Sequence, residues 1–193
     1  MLENKKCIGV DEAGRGPLFG PVVACCVYIL DTSDELFDEI KDSKKISEKK
    51  RQKLYERLIK SDKLIYAIGK ASNKEIDKLN ILNATFLAMN RALKKMNLNK
   101  KVLVDGNLLI RNYEGEQESI VKGDSKVLEI ATASIIAKVY RDNILYEYDK
   151  KYKEYGFAKH KGYGTKQHYE AIKKYGILEE HRKSFLKKIL GSD

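Results

Sequence analysis

Tryptophan is absent from this sequence, and cysteine, histidine and proline are scarce, at three, three and two residues. Cys7, Cys25 and Cys26 are odd in number and form no Cys-x-x-Cys pair, which argues against a disulfide framework or a zinc site. Each sits among apolar residues and reads as a small buried hydrophobe. His160, His168 and His181 show no zinc-ligand spacing with a cysteine. They read as structural or phosphate-facing, with no catalytic role assigned. Long apolar runs are missing as well. The longest, Val22 to Leu30, is too short to cross a bilayer. The N-terminal Met-Leu-Glu-Asn-Lys-Lys lacks the apolar stretch of a secretory signal. A soluble, cytoplasmic, monomeric protein with no membrane partner is therefore expected.

Charge, by contrast, is abundant and unevenly placed. The 193 residues suit one compact domain and carry a net charge of +10. Residues 41–60 hold nine Lys/Arg against Asp42, Glu48 and Glu56, a net of +6. Residues 150–193 hold twelve against five acids, a net of +7, so the remaining 129 residues sum to −3. Two basic arms flank a slightly acidic body. That suits strand-gripping segments around a carboxylate-rich site, although two solvated helix faces explain the charge alone equally well.

Lys6–Val10 and Pro21–Leu30 read as strands, the second apolar on both faces and so internal to a sheet. Between them Asp11–Gly20, with three glycines and Pro17, reads as a sharply shaped loop. Ser47 is a fitting N-cap for a basic helix over 48–60. Leu64–Gly69 is a third strand, and the spacing of Leu82, Phe86, Met89, Leu93 and Met96 predicts an amphipathic helix over 81–96. Short strands follow at Val102–Val104 and Ser119–Lys122. A long helix is predicted from Ser125 to Tyr148, with a small-sided middle, Ala131–Ser134, able to lie close to a sheet. A turn at Gly162–Gly164, a helix over 165–174 and a basic tail complete the chain. The expected class is α/β around one sheet. Residues 1–150 form the core, and 151–193 a basic helical subdomain within one compact unit.

Four acids stand at predicted strand ends or at the start of a helix: Asp11, Glu12, Asp105 and Asp124. Carboxylate oxygens suit Mg²⁺ or Mn²⁺, and paired ions can drive phosphodiester hydrolysis. Singly, each acid has a plainer reading: Asp105-Gly106 as a turn, Gly123-Asp124-Ser125 as a helix start, Asp11-Glu12 as surface charge. The set of four raises the metal reading. Adjacent strand residues point to opposite faces, so Asp11 and Glu12 are expected to share a site only if the strand ends there and the chain bends at Ala13–Pro17.

The stretch Gly9–Leu18 with Gly20–Val23 resembles the signature of ribonuclease HII. So do Asp42–Lys45, Leu79–Thr85, Val104–Asn107, Lys122–Lys126, Ala133–Val139, Arg141-Asp142 and His160–Thr165, in the family's order over nearly the whole chain. Cys25-Cys26 and Ala131-Thr132 depart from it locally. Only ten residues precede Asp11, which favours this family over its sister, ribonuclease HIII, with its added N-terminal domain.

The resemblance implies a ribonuclease H-like mixed sheet of about five strands flanked by helices. It implies that Asp11, Glu12, Asp105 and Asp124 hold two Mg²⁺ or Mn²⁺ ions. It also implies that Gly14, Arg15 and Gly16 read the ribonucleotide 2′-hydroxyl and that Tyr163 packs on the next deoxyribose. Ser43, Lys44, Asn80 and the basic C-terminal segment are expected to contact the nucleic-acid backbone. The substrates implied are RNA–DNA hybrids and duplex DNA with embedded ribonucleotides, cut on the 5′ side to leave 3′-hydroxyl and 5′-phosphate ends. Another nuclease of the superfamily would share the carboxylates without needing Gly14–Gly16 or Tyr163. A non-catalytic binding module would need the basic arms but not the four acids.

Overall fold

The computed structural model describes residues 6–41, 47–187 and 191. Five strands form one mixed sheet: β1 (Ile8–Ala13), β2 (Val22–Ile29), β3 (Leu64–Ala71), β4 (Val102–Asp105) and β5 (Gln117–Ile120). Their order is β3-β2-β1-β4-β5, with β2 antiparallel to both β3 and β1, while β1, β4 and β5 run parallel to one another. The wholly apolar β2 is buried along its length between β1 and β3, as its composition predicts. The helices are α1 (Leu36–Lys41), α2 (Glu48–Leu58), α3 (Asn73–Leu79), α4 (Ile81–Met96), α5 (Leu128–Lys151), α6 (Phe157–His160) and α7 (Lys166–Tyr175).

Alternation along the strands divides the core. Ile8, Val10, Val22, Ala24 and Cys26 face α4, whose Ala84, Ala88, Met89 and Ala92 fill that side. Val23, Cys25 and Val27 face the other way, onto Ala133, Ile136 and Ala137 of α5, with α1 and α2 completing the layer. A third cluster joins Leu18, Phe19 and Leu145 to Tyr155, Phe157, Ile172 and Leu186, so residues 151–187 are packed onto the rest.

Local chemistry explains the helix ends. Ser47 caps α2, accepting from the Lys50 N–H, and Ser72 with Glu75 forms a capping box at α3. Glu75 also takes Arg91 of α4 through both oxygens at 2.9 and 2.7 Å, which holds its carboxyl down at about 2 and fixes α3 against α4. Asn97 ends α4 in the left-handed region, its N–H bonded to Leu93 O. The α1 and α3 helices have no counterpart in the sequence reading, being too short to show a periodic stripe. Strand β5 begins two residues earlier than expected.

Two glycines set the distance between layers. A Cβ at Gly69 would lie 2.0 Å from Ala88 O and 2.6 Å from Ala92 N of α4. One at Gly9 would lie 2.3 Å from the Glu129 C and Ile130 N atoms at the start of α5. Both positions meet helix backbone, which cannot swing aside as a side chain can. Gly9→Ala and Gly69→Ala are each expected to destabilise by about 3 kcal/mol through overpacking. At about 2–4 °C per kcal/mol, melting temperature falls by about 6–12 °C. Thermal melts of the two variants check this, and an unchanged midpoint would mean the layers are looser than the close contacts indicate.

Candidate active site

The carboxylates gather where β1 and β4 finish side by side. Register pairs Ile8 with Val102 and Val10 with Val104, and the next step sets Asp11 across from Asp105 on the α5 face. Glu12 follows on the opposite face. The expectation that the strand ends before this pair is not met, because β1 stays paired with β2 through Ala13. What ends is β4, at Asp105, so Glu12 and Ala13 run past it without a partner on that side. The chain bends directly after this overhang, with Gly14 at φ +94° and bends at Arg15 and Gly16.

Asp124 also sits differently from expectation. Helix α5 starts at Leu128 with Val127 as its N-cap, and Asp124 lies in the preceding 3-10 turn, Gly123–Ser125. That turn is tied to β4 by Asp105, whose Oδ1 accepts from the Gly123 N–H at 2.7 Å and the Asp124 N–H at 3.4 Å.

These acids act on one another. Burial, then repulsion from Glu12 and Asp105, pushes Asp11 up to about 8. Hydrogen bonds from Ser134 of α5 and from the Glu12 N–H, 2.7 Å from Oδ1, oppose the rise. Burial also raises Glu12, against the pull of Arg15, whose Nη1 lies 3.4 Å from Oε1, and Asp105 adds to the rise. Crowded oxygen donors that repel one another suit a hard divalent cation, which would remove the repulsion. Among the described residues, no three Asp, Glu, His or Cys side chains are close enough to enclose an ion by themselves.

Immediately after β1 the chain passes through Gly14, Arg15 and Gly16. Gly14 has φ +94° and lies so close to Arg141 that a Cβ there would meet its Nε at 2.0 Å. A Cβ at Gly16 would lie 3.3 Å from the Tyr163 ring, so the missing side chain seats the tyrosine over the loop. Tyr163 itself is 45% exposed. Asp105, Asp11, Glu12, Arg15, Gly16 and Tyr163 thus form one continuous line of neighbours.

Asn80 is engaged locally. It joins α3 to α4 at φ +66°, its side chain accepting from the Asn83 N–H at 3.1 Å. Ser43 and Lys44 lie outside the described residues. The first residue of α2, Glu48, meets Lys161 at 3.0 Å, beside the Tyr163 turn.

Two histidines and two arginines complete the surroundings. His181 Nδ1 accepts from the Leu178 N–H at 2.8 Å, so its Nε2 carries the proton and donates to His168 Nε2 at 3.1 Å. His168 Nδ1–H then donates to the Tyr163 carbonyl at 2.9 Å. This relay, wholly buried, fixes the Tyr163 turn from the C-terminal segment. Arg141 and Arg182 are buried as well, donating to backbone carbonyls of the loop from Gly14 to Pro21. Sequence reasoning assigned the basic tail to phosphate contact and missed this inward role. The signal available was Arg182 beside the apolar Phe185-Leu186, and Arg141 within the apolar run of α5.

With this arrangement established, comparison with known proteins is decisive. The family model for Ribonuclease HII matches residues 8–188. The chain belongs to the ribonuclease HII family. The ribonuclease HII of Fusobacterium nucleatum is 57% identical over 100% of this chain and 91% of its own length. Among solved structures, ribonuclease H2 of Pyrococcus horikoshii is 30% identical, with a TM-score of 0.74 over 96% of both chains. The ribonuclease HII of Archaeoglobus fulgidus, solved with PCNA, gives 25% and 0.77, covering 92% of this chain and 94% of its own. The ribonuclease H-like fold and the status of a ribonuclease H hydrolase acting on RNA–DNA hybrids follow from that membership. Among the described residues, no helix is long and apolar enough to cross a membrane.

The ribonuclease HII relay carries a pH signature. Burial holds His168 and His181 at about 4, below their ordinary 6.5, so the folded state keeps them neutral. Between those values the unfolded chain binds more protons, and stability falls as pH falls. Asp11 contributes with the opposite sign, so a difference measurement is needed. The stability advantage of the wild type over a His168→Gln/His181→Gln double variant is expected to shrink from pH 7.5 to 4.5. Urea melts across that range check it, and a gap that holds constant or widens would refute the neutral relay.

Proposed function

We propose that the protein cleaves the phosphodiester on the 5′ side of ribonucleotides, both in RNA–DNA hybrids and as single residues within duplex DNA. On this reading Asp11, Glu12, Asp105 and Asp124 hold two divalent cations, Mg²⁺ or Mn²⁺. The observation that carries it is the line of neighbours from Asp105 and Asp11 through Glu12 and Arg15 to Gly16 under Tyr163. A 2′-hydroxyl bound at Gly14–Gly16 lies beside the carboxylates, and the tyrosine covers the next sugar.

Each group has a task that its surroundings support. Asp11 and Asp105, on adjacent parallel strands, are held rigidly enough to keep like charges together. Water and substrate phosphate fill the coordination positions that an open carboxylate set leaves vacant. Bound cations would supply Lewis-acid polarisation of the phosphate and a more acidic water. Arg15, half-exposed and 3.4 Å from Glu12, can exchange that carboxylate for a substrate phosphate. Phosphate contacts from the basic α2 and C-terminal surfaces are the same for every nucleotide, so they add affinity and not selectivity. Selectivity falls to Gly14–Gly16, which can approach the one hydroxyl that distinguishes RNA. Tyr163, seated on Gly16, reads the following sugar by contact with a ring face, which favours deoxyribose over a sugar bearing a second hydroxyl.

Asp11→Asn and Asp105→Asn are expected to abolish turnover on a duplex containing one ribonucleotide. Asp11→Asn should melt no lower than wild type without metal, since it removes a buried, repelled charge while keeping the acceptor oxygen. End-labelled mapping is expected to show 3′-hydroxyl and 5′-phosphate termini, and EDTA to stop the reaction. Wild-type rates in either variant would end the carboxylate assignment. A 2′,3′-cyclic phosphate would mean that the 2′-hydroxyl itself attacked.

A further inference from the structure

Arg182 is fully buried, and its guanidinium donates to three backbone carbonyls. Nη2 donates to Gly14 O at 2.6 Å, Nη1 to Arg15 O at 2.9 Å and Nε to Gly20 O at 2.9 Å. Arg141, equally buried, donates to Phe19 O at 3.1 Å, Pro21 O at 3.3 Å and Lys161 O at 3.0 Å. Five of these six acceptors lie between Gly14 and Pro21. The main chain adds to the hold, with Arg182 N–H on Leu18 O at 2.8 Å and Gly20 N–H on Glu180 O at 3.0 Å.

The consequence follows from the planar trans peptide, in which C=O and the next N–H point in opposite directions. No cis peptide occurs among the described residues. Drawing the Gly14 carbonyl inward turns the Arg15 N–H outward, and drawing the Arg15 carbonyl inward does the same for the Gly16 N–H. Two successive donors therefore face the exposed side of the loop, beneath Tyr163 and beside Glu12. A site built from donors aimed at a hydroxyl discriminates strongly against a partner lacking it, because the unmet donors stay desolvated.

We propose that Arg182, supported by Arg141, is a positioning residue for ribonucleotide recognition, fixing the Gly14 and Arg15 peptides so that the Arg15 and Gly16 N–H groups meet the sugar. The neighbouring His181 holds the Tyr163 turn through His168, so adjacent residues of the C-terminal segment set both halves of the reader. Two cations buried side by side also leave a positive potential under a loop that faces a polyanion. This inference rests on the proposed role of Gly14–Gly16.

The test compares affinities, without metal so that nothing is cut, for a duplex with one ribonucleotide and for the same duplex in DNA alone. Arg182→Lys keeps the charge but cannot reach three carbonyls. It is expected to lower the ratio of the two affinities about tenfold, the worth of one well-placed hydrogen bond, while all-DNA binding stays close to wild type. Gly16→Ala, which crowds the loop from the substrate side, is expected to lower the same ratio. If Gly16→Ala lowers the ratio and a folded Arg182→Lys leaves it unchanged, the positioning role is wrong and the loop reading survives. If neither variant changes it, the loop reading itself fails. An equal loss of affinity for both duplexes in Arg182→Lys would make Arg182 merely structural and overturn the proposal. Should Arg182→Lys fail to fold, the wild type decides. Its Arg15 and Gly16 amide resonances are expected to shift with the ribonucleotide duplex and not with DNA, and equal shifts would overturn the proposal.

Discussion

A loop that turns its carbonyls into the protein must find donors for them, or lose the free energy of burying unpaired polar groups. Here the donors are the guanidiniums of Arg141 and Arg182, which between them take five carbonyls of the stretch from Gly14 to Pro21. Burying two guanidiniums side by side is itself unfavourable, and burial with Arg141's charge lowers Arg182 to about 9 against the pull of Asp77. The loop's conformation, the seat of Tyr163 and the approach to Glu12 depend on that exchange of one cost for another. Arginine suits the task because its planar fork offers several donors at fixed angles, where lysine offers one compact charge.

The carboxylate cluster poses a similar problem with the opposite charge. Asp11, Glu12 and Asp105 repel one another in a setting poor in water, and only firm backbone pairing keeps them together. Parallel pairing of β1 with β4, the early end of β4 and the hydrogen bonds from Asp105 to the Gly123 turn supply that firmness. A folded core that holds repelling groups close concentrates strain where a cation can relieve it. Scaffold and chemistry meet at Gly9, whose lack of a side chain lets α5 lie on β1 next to Asp11.

The C-terminal segment changes meaning between sequence and structure. Read as charge, it is a basic arm for phosphates. Folded, it places His181, Arg182 and Leu186 in the interior and leaves lysines such as Lys183 and Lys187 outside. Long basic side chains are ambiguous in one dimension, since their destination depends on what lies opposite them. The partners here, Gly14, Arg15 and Gly20, are more than 160 residues away.

Local pattern determined much of this protein. The apolar β2, the striped α4, the Ser47 cap and the small-sided face of α5 follow from spacing and side-chain shape, which act over a few residues. The four acids stood out as oxygen donors near predicted strand ends, whereas Gly14–Gly16 and Tyr163 stood out only through resemblance to the ribonuclease HII signature. Tertiary structure alone decided how they meet. Where the neighbouring strand β4 stops relative to Asp11 and Glu12 is something that no alternation within β1 reveals. The short α1 and α3, the 3-10 turn under Asp124, the histidine relay and the inward arginines depend likewise on partners remote in sequence. Hydrogen bonds and charge repulsion act through space, and a chain read end to end records neighbours only along itself.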